Sequence, residues 1–255
     1  MIRLWALALN TFREAVRDRV LHSILFFGAA AVILSIIFKD ITIGDQAKVV
    51  RSVAHSGVDL FASLIAMFLG ISLLWKELEK KTIYTILSKP IPRWMFVLGK
   101  YLGLILTVGV ELLLLVGLYT VAMGLYQGVP SLTTFVSFGL IFVELLLLTA
   151  WATLFSAYSA PMTASAFTVS IFVIGHLADD IWLYGSQAES PLVQDVAQVL
   201  YYLLPNFELF NIRNFAIHQH PVPWDRVWPA LGYGLSYTAV VLWFAISIFN
   251  RRDIR

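Results

Sequence analysis

The 255-residue sequence lacks cysteine and has few charges, which make up 13% of its residues. Without cysteine the chain has no disulfide, no thiolate metal ligand and no cysteine nucleophile. The charged fraction is about half of the ~25% that is usual in soluble domains, which excludes an ordinary soluble domain. Two catalytic motifs are also missing. The absence of a G-x-x-x-x-G-K-[ST] phosphate loop excludes ATP hydrolysis by that mechanism, and the absence of H-E-x-x-H argues against a metalloprotease.

Apolar segments make up most of the chain, since 59% of its residues are hydrophobic and its mean hydropathy is +0.80. Six of the segments are long enough to cross about 30 Å of hydrocarbon as helices. They lie at residues 21–38, 58–75, 97–123, 135–156, 162–183 and 230–249. The pattern predicts an all-α polytopic membrane protein with six transmembrane helices, in which residues 1–255 form a single transmembrane domain.

The stretch before the first apolar segment is amphipathic when residues 2–19 are arranged as a helix. Its apolar stripe consists of Trp5, Leu9, Phe12 and Val16, continued by Val20, and its polar side of Arg3, Asn10, Arg13, Glu14 and Arg17. This pattern predicts a helix that lies in the membrane interface. The alternative is that the stretch forms the polar start of a tilted first span.

Basic residues are distributed unevenly between the two sides of the predicted spans. The two termini and residues 76–100 carry 13 of the 18 Lys and Arg residues, and the opposite side carries 5. Because Lys and Arg are retained in the cytoplasm, both termini and residues 76–100 are predicted to be cytoplasmic. Residues 39–57 and 184–229 are then expected on the outer side.

The outer segment 184–229 does not have the composition of a loop. Apolar residues recur at helical spacing as far as Leu204, and the sequence PNFELFNIRN then mixes polar and aromatic residues. We predict one or two short interfacial or re-entrant helices in this segment. For Asn206, Phe207 and Glu208, interfacial anchoring is the first interpretation, and an outer gate over a transport path is the alternative.

Residues 75–100, WKELEKKTIYTILSKPIPRWMFVLGK, concentrate charge between two apolar segments. A helix is predicted over residues 77–87, and Ser88 and Pro90 are expected to end it. One interpretation is a capped cytoplasmic helix that only obeys the positive-inside rule. The other interpretation is an amphipathic helix that a soluble partner can bind and displace.

The pattern E-x-E-x-x-T-x-x-x-x-L-S-x-P-x-x-R followed by L-G-K resembles the cytoplasmic loop of ABC-2 type permeases. These are the membrane subunits of ATP-binding-cassette transporters, and they include permeases of nitrous-oxide reductase maturation, gliding motility and antibiotic export. The resemblance is carried by Glu77, Glu79, Thr82, Leu87, Ser88, Pro90, Arg93, Leu98, Gly99 and Lys100. The chain departs from many relatives at Lys81, where they have Gly before the Thr.

The resemblance implies that residues 76–93 include a coupling helix that binds a separate ATPase. The residues that would position it are Glu77, Glu79, Thr82, Leu87, Ser88, Pro90, Arg93 and Lys100. The resemblance also implies a transport subunit rather than an enzyme, in which two permease copies, expected to be a homodimer, bind two copies of a cytoplasmic ATPase. That partner would bind the ATP and Mg²⁺, and the assembly would lie in a bacterial or archaeal cell (inner) membrane.

Export is the expected direction, since nothing in the sequence indicates a docking surface for a periplasmic binding protein. The spans offer an apolar path with scattered hydroxyl groups. Lipids, hydrophobic peptides, drugs and a conformational signal passed to a periplasmic partner are all compatible with such a path. No nucleic-acid partner is expected.

Four polar residues of the spans are candidates for the transport path, namely Glu111, Glu144, Ser165 and Thr168. Glu111 and Glu144 are both predicted to lie about 17 Å from the cytoplasmic boundary. Intramembrane acids are functional candidates by default. Structural packing is the first interpretation of the two acids, lining of a transport path the second and proton coupling the third. A stand-alone ion-coupled carrier or an intramembrane enzyme, using Glu111 and Glu144 or His176, Asp179 and Asp180, is the alternative to a transport subunit.

A second polar group lies near the outer end of the fifth apolar segment. His176, Asp179 and Asp180 have i, i+3, i+4 spacing, which places them on one face of a continuous helix. An imidazole and two carboxylates can bind a divalent metal, and His218 and His220 are the available completing ligands. A helix end that emerges into water accounts for the same residues, so no metal is expected.

Overall fold

The computed structural model describes residues 2–37, 45–79 and 92–251, with side chains for residues 3–37, 45–71 and 92–251. These residues form ten α-helices and two 3-10 turns, Ser35–Ile37 and Glu208–Phe210, and they contain no β-strand. The helices are α1 (Ile2–Ala15), α2 (Arg19–Leu34), α3 (Gln46–Glu79), α4 (Arg93–Gln127), α5 (Leu132–Tyr158), α6 (Pro161–His176), α7 (Ala178–Ser186), α8 (Pro191–Leu203), α9 (Arg213–Ile217) and α10 (Trp224–Arg251). The all-α prediction is confirmed for this part of the chain.

Local sequence signals account for several helix ends. The Asp18 carboxylate accepts a hydrogen bond from the Val20 amide at 3.0 Å and caps α2. Pro161 and Pro191 are the first residues of α6 and α8, where the missing N–H costs no helical hydrogen bond. Between α4 and α5, Gly128 has a φ of 93°, a left-handed value that glycine adopts without steric cost.

Four of the described helices are long and apolar enough to cross a membrane: the Gln46–Ile71 part of α3, and α4, α5 and α10. Two further pairs pass the same test together but are bent. Arg3–Ala15 meets Arg19–Ser35 at 67°, and Pro161–His176 meets Ala178–Ser186 at 59°. The chain is therefore a multi-pass membrane protein with four to six candidate spans. The number six and the orientation remain predictions.

One of the two bends lies before the first apolar segment, and the other lies within the fifth. The bend after Ala15 separates the amphipathic stretch from the first apolar segment, and it is compatible with a helix distinct from the first span and with one bent span. The fifth apolar segment was predicted to be continuous over residues 162–183, and this is wrong because the helix breaks at Leu177. As a result, His176 ends α6, whereas Asp179 and Asp180 lie in the first turn of α7.

The second span begins earlier than the sequence suggests, because α3 starts at Gln46 and residues 46–57 are helical rather than an outer loop. The polar side chains of this region find partners inside the protein. Arg51 Nη1 donates to the Ile217 carbonyl at 3.0 Å, and the Ser56 hydroxyl accepts from Arg213 Nη1 at 2.6 Å. Since these groups are satisfied, the helix continues where hydropathy alone indicates a loop.

Helix α5 is at the centre of the bundle and packs most extensively against α10 and α3, with further contacts to α4, α6 and α9. Helix α1 packs along the first half of α4, where Gly99 and Gly103 let the two helices approach closely. The outward-facing sides of α2, α4 and α10 carry large exposed apolar residues. These include Phe26, Phe27, Leu113, Leu114, Leu125, Trp228, Trp243 and Phe244. Such surfaces are suited to lipid rather than to water.

Two ends of the bundle can be distinguished. The Gln127 amide at the end of α4 donates to the Ala47 carbonyl at the start of α3 at 3.0 Å, so α3 and α4 are antiparallel. We call the end that contains Glu79, Arg93 and Arg251 the proximal end. The distal end then contains α7–α9 and residues 204–223, which we call the distal segment.

Candidate functional site

The predicted coupling element lies at the proximal end, and the structure describes only its two flanks. Glu77 and Glu79 belong to the last turn of α3, and Arg93 is the first residue of α4. Thr82, Leu87, Ser88 and Pro90, together with the Lys81 position, lie outside the described residues. The predicted helix over residues 77–87 therefore stays a prediction beyond Glu79.

Arg93 connects the start of α4 to the end of α10. Its Nη1 atom donates to the Asn250 carbonyl at 3.2 Å, where a cation also interacts favourably with the negative end of the helix dipole. One turn further on, the ring of Phe96 stacks on that of Phe249 with centroids 5.8 Å apart. The flank of the coupling element is thus attached to the last span.

Lys100 is buried rather than available to a partner surface. Only 3% of the residue is exposed, and Nζ lies 3.6 Å from a carboxylate oxygen of Glu14 and 5.9 Å from the centroid of the Phe96 ring. In this conformation Lys100 holds α1 against α4.

The predicted path residues do not come together at one place. Glu111 is buried in the middle of α4, and its electrostatic neighbour is His22 of α2. The hydroxyl groups of Ser165 and Thr168 each donate at 2.7 Å to a carbonyl of their own helix, that of Met162 and that of Ala164 respectively. Glu144 has a different environment at the distal end.

Glu144 lines a polar cavity of about 170 Å³ between α3, α5, α6 and the distal segment. We call this cavity the distal pocket. Its lining residues are His55, Asp59, Ser137, Ile141, Glu144, His176, Glu208, Phe210, Asn211 and Arg213. Eight of these ten residues are polar or charged, which is unusual for a cavity inside an apolar bundle.

His176 and Glu144 form a close pair in the distal pocket, with Nε2 3.4 Å from Oε1. The Nδ1 atom of His176 lies 2.9 Å from the Phe172 carbonyl, which can only accept, so Nδ1 carries a proton. A neutral His176 consequently presents a lone pair, not an N–H, to Glu144. The pair makes a full ion-pair hydrogen bond only when the imidazole is also protonated at Nε2.

On the opposite wall, His55 is 2% exposed and its Nε2 atom lies 3.0 Å from Ser137 Oγ. The ring of His55 stacks on Phe138 with centroids 4.7 Å apart and meets the edge of Tyr119. These contacts fix the orientation of the imidazole. They bring α3 and α5 together at the level of the pocket.

The distal segment is held by hydrogen bonds to three helices. Asn206 Nδ2 donates to Asp179 Oδ1 at 2.7 Å, and the Asn206 amide donates to the Tyr233 hydroxyl at 3.0 Å. The amide of Phe207 donates to the Gly175 carbonyl at 2.9 Å. Glu208 follows at the pocket wall, where its amide donates to Asn206 Oδ1 at 3.0 Å.

The interfacial-anchoring interpretation of this segment is wrong for its phenylalanines. Phe207 and Phe210 are both 0% exposed and belong to the core of the bundle. Burial of aromatic rings removes apolar surface from contact with both water and headgroups, so these residues fix the distal segment in place. The segment packs against α3, α5 and α10, and its role as an outer gate stays a prediction.

The His176, Asp179 and Asp180 group has other partners than a metal. The break at Leu177 separates His176 from the two aspartates, and Asp179 accepts the hydrogen bond from Asn206. Among the described residues, no group of three or more His, Asp or Glu side chains is arranged to hold a metal ion.

Sequence reasoning did not single out His55, Asp59, Ser137 or Arg213, which line the pocket together with Glu144. Asp59 gave a usable signal, because it is an acid inside the predicted second span. His55 and Arg213 gave none, since both lie in segments that were expected outside the membrane. Their position depends on the fold of the distal segment.

The close packing of Gly175 against the distal segment leads to a first prediction. A Cβ atom at this position would lie 2.5 Å from Phe207 Cδ2 and 2.9 Å from the Pro205 carbonyl oxygen. Gly175→Ala should therefore destabilise the protein by about 1–3 kcal/mol. Thermal unfolding of the purified protein in detergent measures this, with Gly232→Ala as the control because a Cβ there meets nothing within 4 Å. Equal melting temperatures for the two variants would contradict the described packing.

A family model described as "ABC-2 family transporter protein" matches residues 5–254. No curated protein matches the chain.

Proposed function

The chain belongs to the ABC-2 family of transporter proteins, and on this premise we propose that it is the permease subunit of an exporter driven by a separate ATPase subunit. The family match carries the proposal, because it covers residues 5–254 of the 255. The chain is a multi-pass membrane permease of an ABC transporter and is not itself the catalytic subunit. The lack of a phosphate loop in the sequence supports assigning ATP and Mg²⁺ to the partner.

The ATPase contact in this proposal is at the proximal end, in residues 76–93. Glu77, Glu79 and Arg93 flank the contact, and Thr82, Leu87, Ser88 and Pro90 form its centre by resemblance to the family. The hydrogen bond from Arg93 to the Asn250 carbonyl supports this position of the ATPase contact, because a movement at the start of α4 would also displace α10. Lys100 acts indirectly, through its contact with Glu14 of α1.

The assembly in this proposal contains two permease copies and two ATPase copies in the inner membrane of a bacterium or archaeon. The excess of Lys and Arg at the termini and in residues 76–100 supports a cytoplasmic position for the proximal end. The distal end would then face outward. Closure of the ATPase pair on ATP would move the coupling elements and open the path between the permeases alternately to each side.

Within each permease, Glu144 and Thr168 are the path residues that the proposal retains, and Asn206, Phe207 and Glu208 form the outer gate. Support for the gate comes from its hydrogen bonds to α6, α7 and α10, which can be exchanged when those helices move. The buried pair of Glu144 and His176 would stabilise the closed state when the imidazole is protonated at both nitrogen atoms.

Co-expression tests the proposed function. We expect the chain to co-purify in detergent with a phosphate-loop ATPase encoded by a neighbouring gene, and to raise the ATP hydrolysis rate of that ATPase. The control is the same ATPase expressed without the permease. A chain that purifies alone and transports in liposomes without ATP would be an ion-coupled carrier, and the proposal would be wrong.

A further inference from the structure

Three atoms that belong to residues lining the distal pocket are buried and have no hydrogen-bond partner in the described part of the protein. They are His55 Nδ1, Asp59 Oδ1 and Glu144 Oε1. His55 and Glu144 are only 2% and 3% exposed. Buried polar atoms are normally paired, so three unpaired atoms around one cavity indicate a missing partner.

All three atoms can accept a hydrogen bond. Two of them are carboxylate oxygens, and His55 Nδ1 accepts when Nε2 donates its proton to Ser137 Oγ at 3.0 Å. His176 cannot supply Glu144 with a donor while its only proton is on Nδ1, facing the Phe172 carbonyl. A hydrogen-bond donor in the cavity would satisfy all three atoms.

The charges of the pocket indicate the sign of that partner. Asp59, Glu144 and Glu208 contribute three carboxyl groups, against the guanidinium of Arg213 and the imidazoles of His55 and His176. Arg213 is in addition bonded to the Ser56 hydroxyl at 2.6 Å. An unmatched buried charge is costly, so a cation in the cavity would stabilise the arrangement.

We propose that the distal pocket binds the ammonium group of a small primary amine. An –NH₃⁺ group has three donors and one positive charge, which matches three acceptors in a negatively charged cavity. The volume of about 170 Å³ holds roughly five water molecules at ~30 Å³ each, so the ligand has few heavy atoms. The partly exposed Glu208 and the exposed Asn211 form the rim through which it enters.

A hydrogen-bonding cation fits the pocket better than a coordinated metal ion, because no three His, Asp or Glu side chains of the described residues are arranged to hold a metal. The inference goes beyond the proposed function. Binding to the permease itself does not require the ATPase partner, so it can be tested on the purified chain alone.

The test uses the full-length protein in detergent, in a sodium-free buffer, and follows its melting temperature as methylammonium chloride is added. Methylammonium is expected to raise the melting temperature in a saturable manner. Tetramethylammonium, which has the charge but no N–H donor, and sodium chloride should not. No shift with methylammonium, or an equal shift with either of the other salts, would overturn the proposal.

Variants locate the site by isothermal titration with methylammonium. Glu144→Gln and, independently, Asp59→Asn should each weaken binding at least tenfold, because each removes a charged acceptor from the cavity. Glu111→Gln is the matched control, since Glu111 is a buried mid-helix carboxyl that does not line the pocket. Asp59→Asn provides the result if Glu144→Gln does not fold. Unchanged affinity in Asp59→Asn, or equal weakening in Glu111→Gln, would overturn the assignment.

Discussion

Charge reversal at Glu77 should return the partner ATPase to its unstimulated rate while the permease remains folded. Glu77 lies in the last turn of α3 at the proximal end, on the flank of the predicted coupling element. When a reversed charge faces a complementary surface, attraction becomes repulsion, which costs several kcal/mol. Each 1.4 kcal/mol corresponds to a factor of ten, so Glu77→Lys should reduce the stimulation at least ~tenfold. The measurement is ATP hydrolysis by the co-purified complex.

The matched control is Lys48→Glu, a charge reversal in the first turn of α3 at the distal end. Lys48 Nζ lies 2.9 Å from Asp45, and its hydrogen bond lowers the pKa of that carboxyl below its usual value. Loss of such an exposed pair costs little, and an acid is favourable at a helix start. Full ATPase stimulation should persist in Lys48→Glu. If it also persists in Glu77→Lys, the proposed position of the ATPase contact is wrong.

Arg93→Glu should uncouple the ATPase as well, but its interpretation needs a second variant. This substitution both reverses a charge on the flank of the contact and removes the hydrogen bond to the Asn250 carbonyl. Arg93→Gln removes the charge and keeps a donor of similar reach. A coupling loss in Arg93→Glu that Arg93→Gln does not share is assigned to the reversed charge.

The second large effect is expected at Gly103, where α1 and α4 are in closest contact. A Cβ atom there would lie 2.5 Å from the Ala8 carbonyl oxygen and 2.5 Å from Thr11 Cβ. The backbone of α1 cannot yield without moving the helix, so Gly103→Val should cost at least the ~1–3 kcal/mol that is typical of overpacking. It should also weaken the Lys100 contact with Glu14 and thereby reduce ATPase stimulation.

Gly117→Val is the control for Gly103→Val. Both glycines belong to α4, and a Cβ at Gly117 meets nothing within 4 Å. The two variants therefore share the change in helix propensity and differ only in packing. Thermal unfolding in detergent and ATPase assays of the complex compare them. A Gly103→Val protein as stable as Gly117→Val would show that α1 does not pack on α4 as described.

The apolar periodicity was sufficient to predict the helices, but not all of their ends. Helix α3 begins at Gln46 rather than near residue 58, because its first turns contain Lys48, Arg51 and His55, which hydropathy assigns to a loop. The side chains of Arg51 and His55 have partners far away along the chain. The Ile217 carbonyl that accepts from Arg51 is 166 positions away. No local sequence pattern reports such a contact.

The same limit applies to the distal pocket. Glu144 was identified from the general rule that an acid inside a span is a functional candidate. The proximity of Glu144 to His176 was not predicted, because this pairing depends on how α5 and α6 pack. Phe207 and Phe210 were expected at the interface because polar and aromatic residues alternate there, whereas the bundle buries both rings. The chemical properties of single residues could be predicted from the sequence. Which of these residues lie together could not, because that depends on the fold.

The attachment of Arg93 to the end of α10 has a mechanical consequence. From Asn250 the helix runs back to Tyr233, about 25 Å away at 1.5 Å per residue, and the Tyr233 hydroxyl accepts the amide of Asn206. Helix α10 thus connects Arg93 at the proximal end to Asn206 of the distal segment. A displacement of Arg93 along the axis of α10 would also displace Tyr233, because a helix resists compression along its axis. Movement of α10 would then be passed both to Asn206 and to α5, the helix against which α10 packs most extensively and which lines the distal pocket.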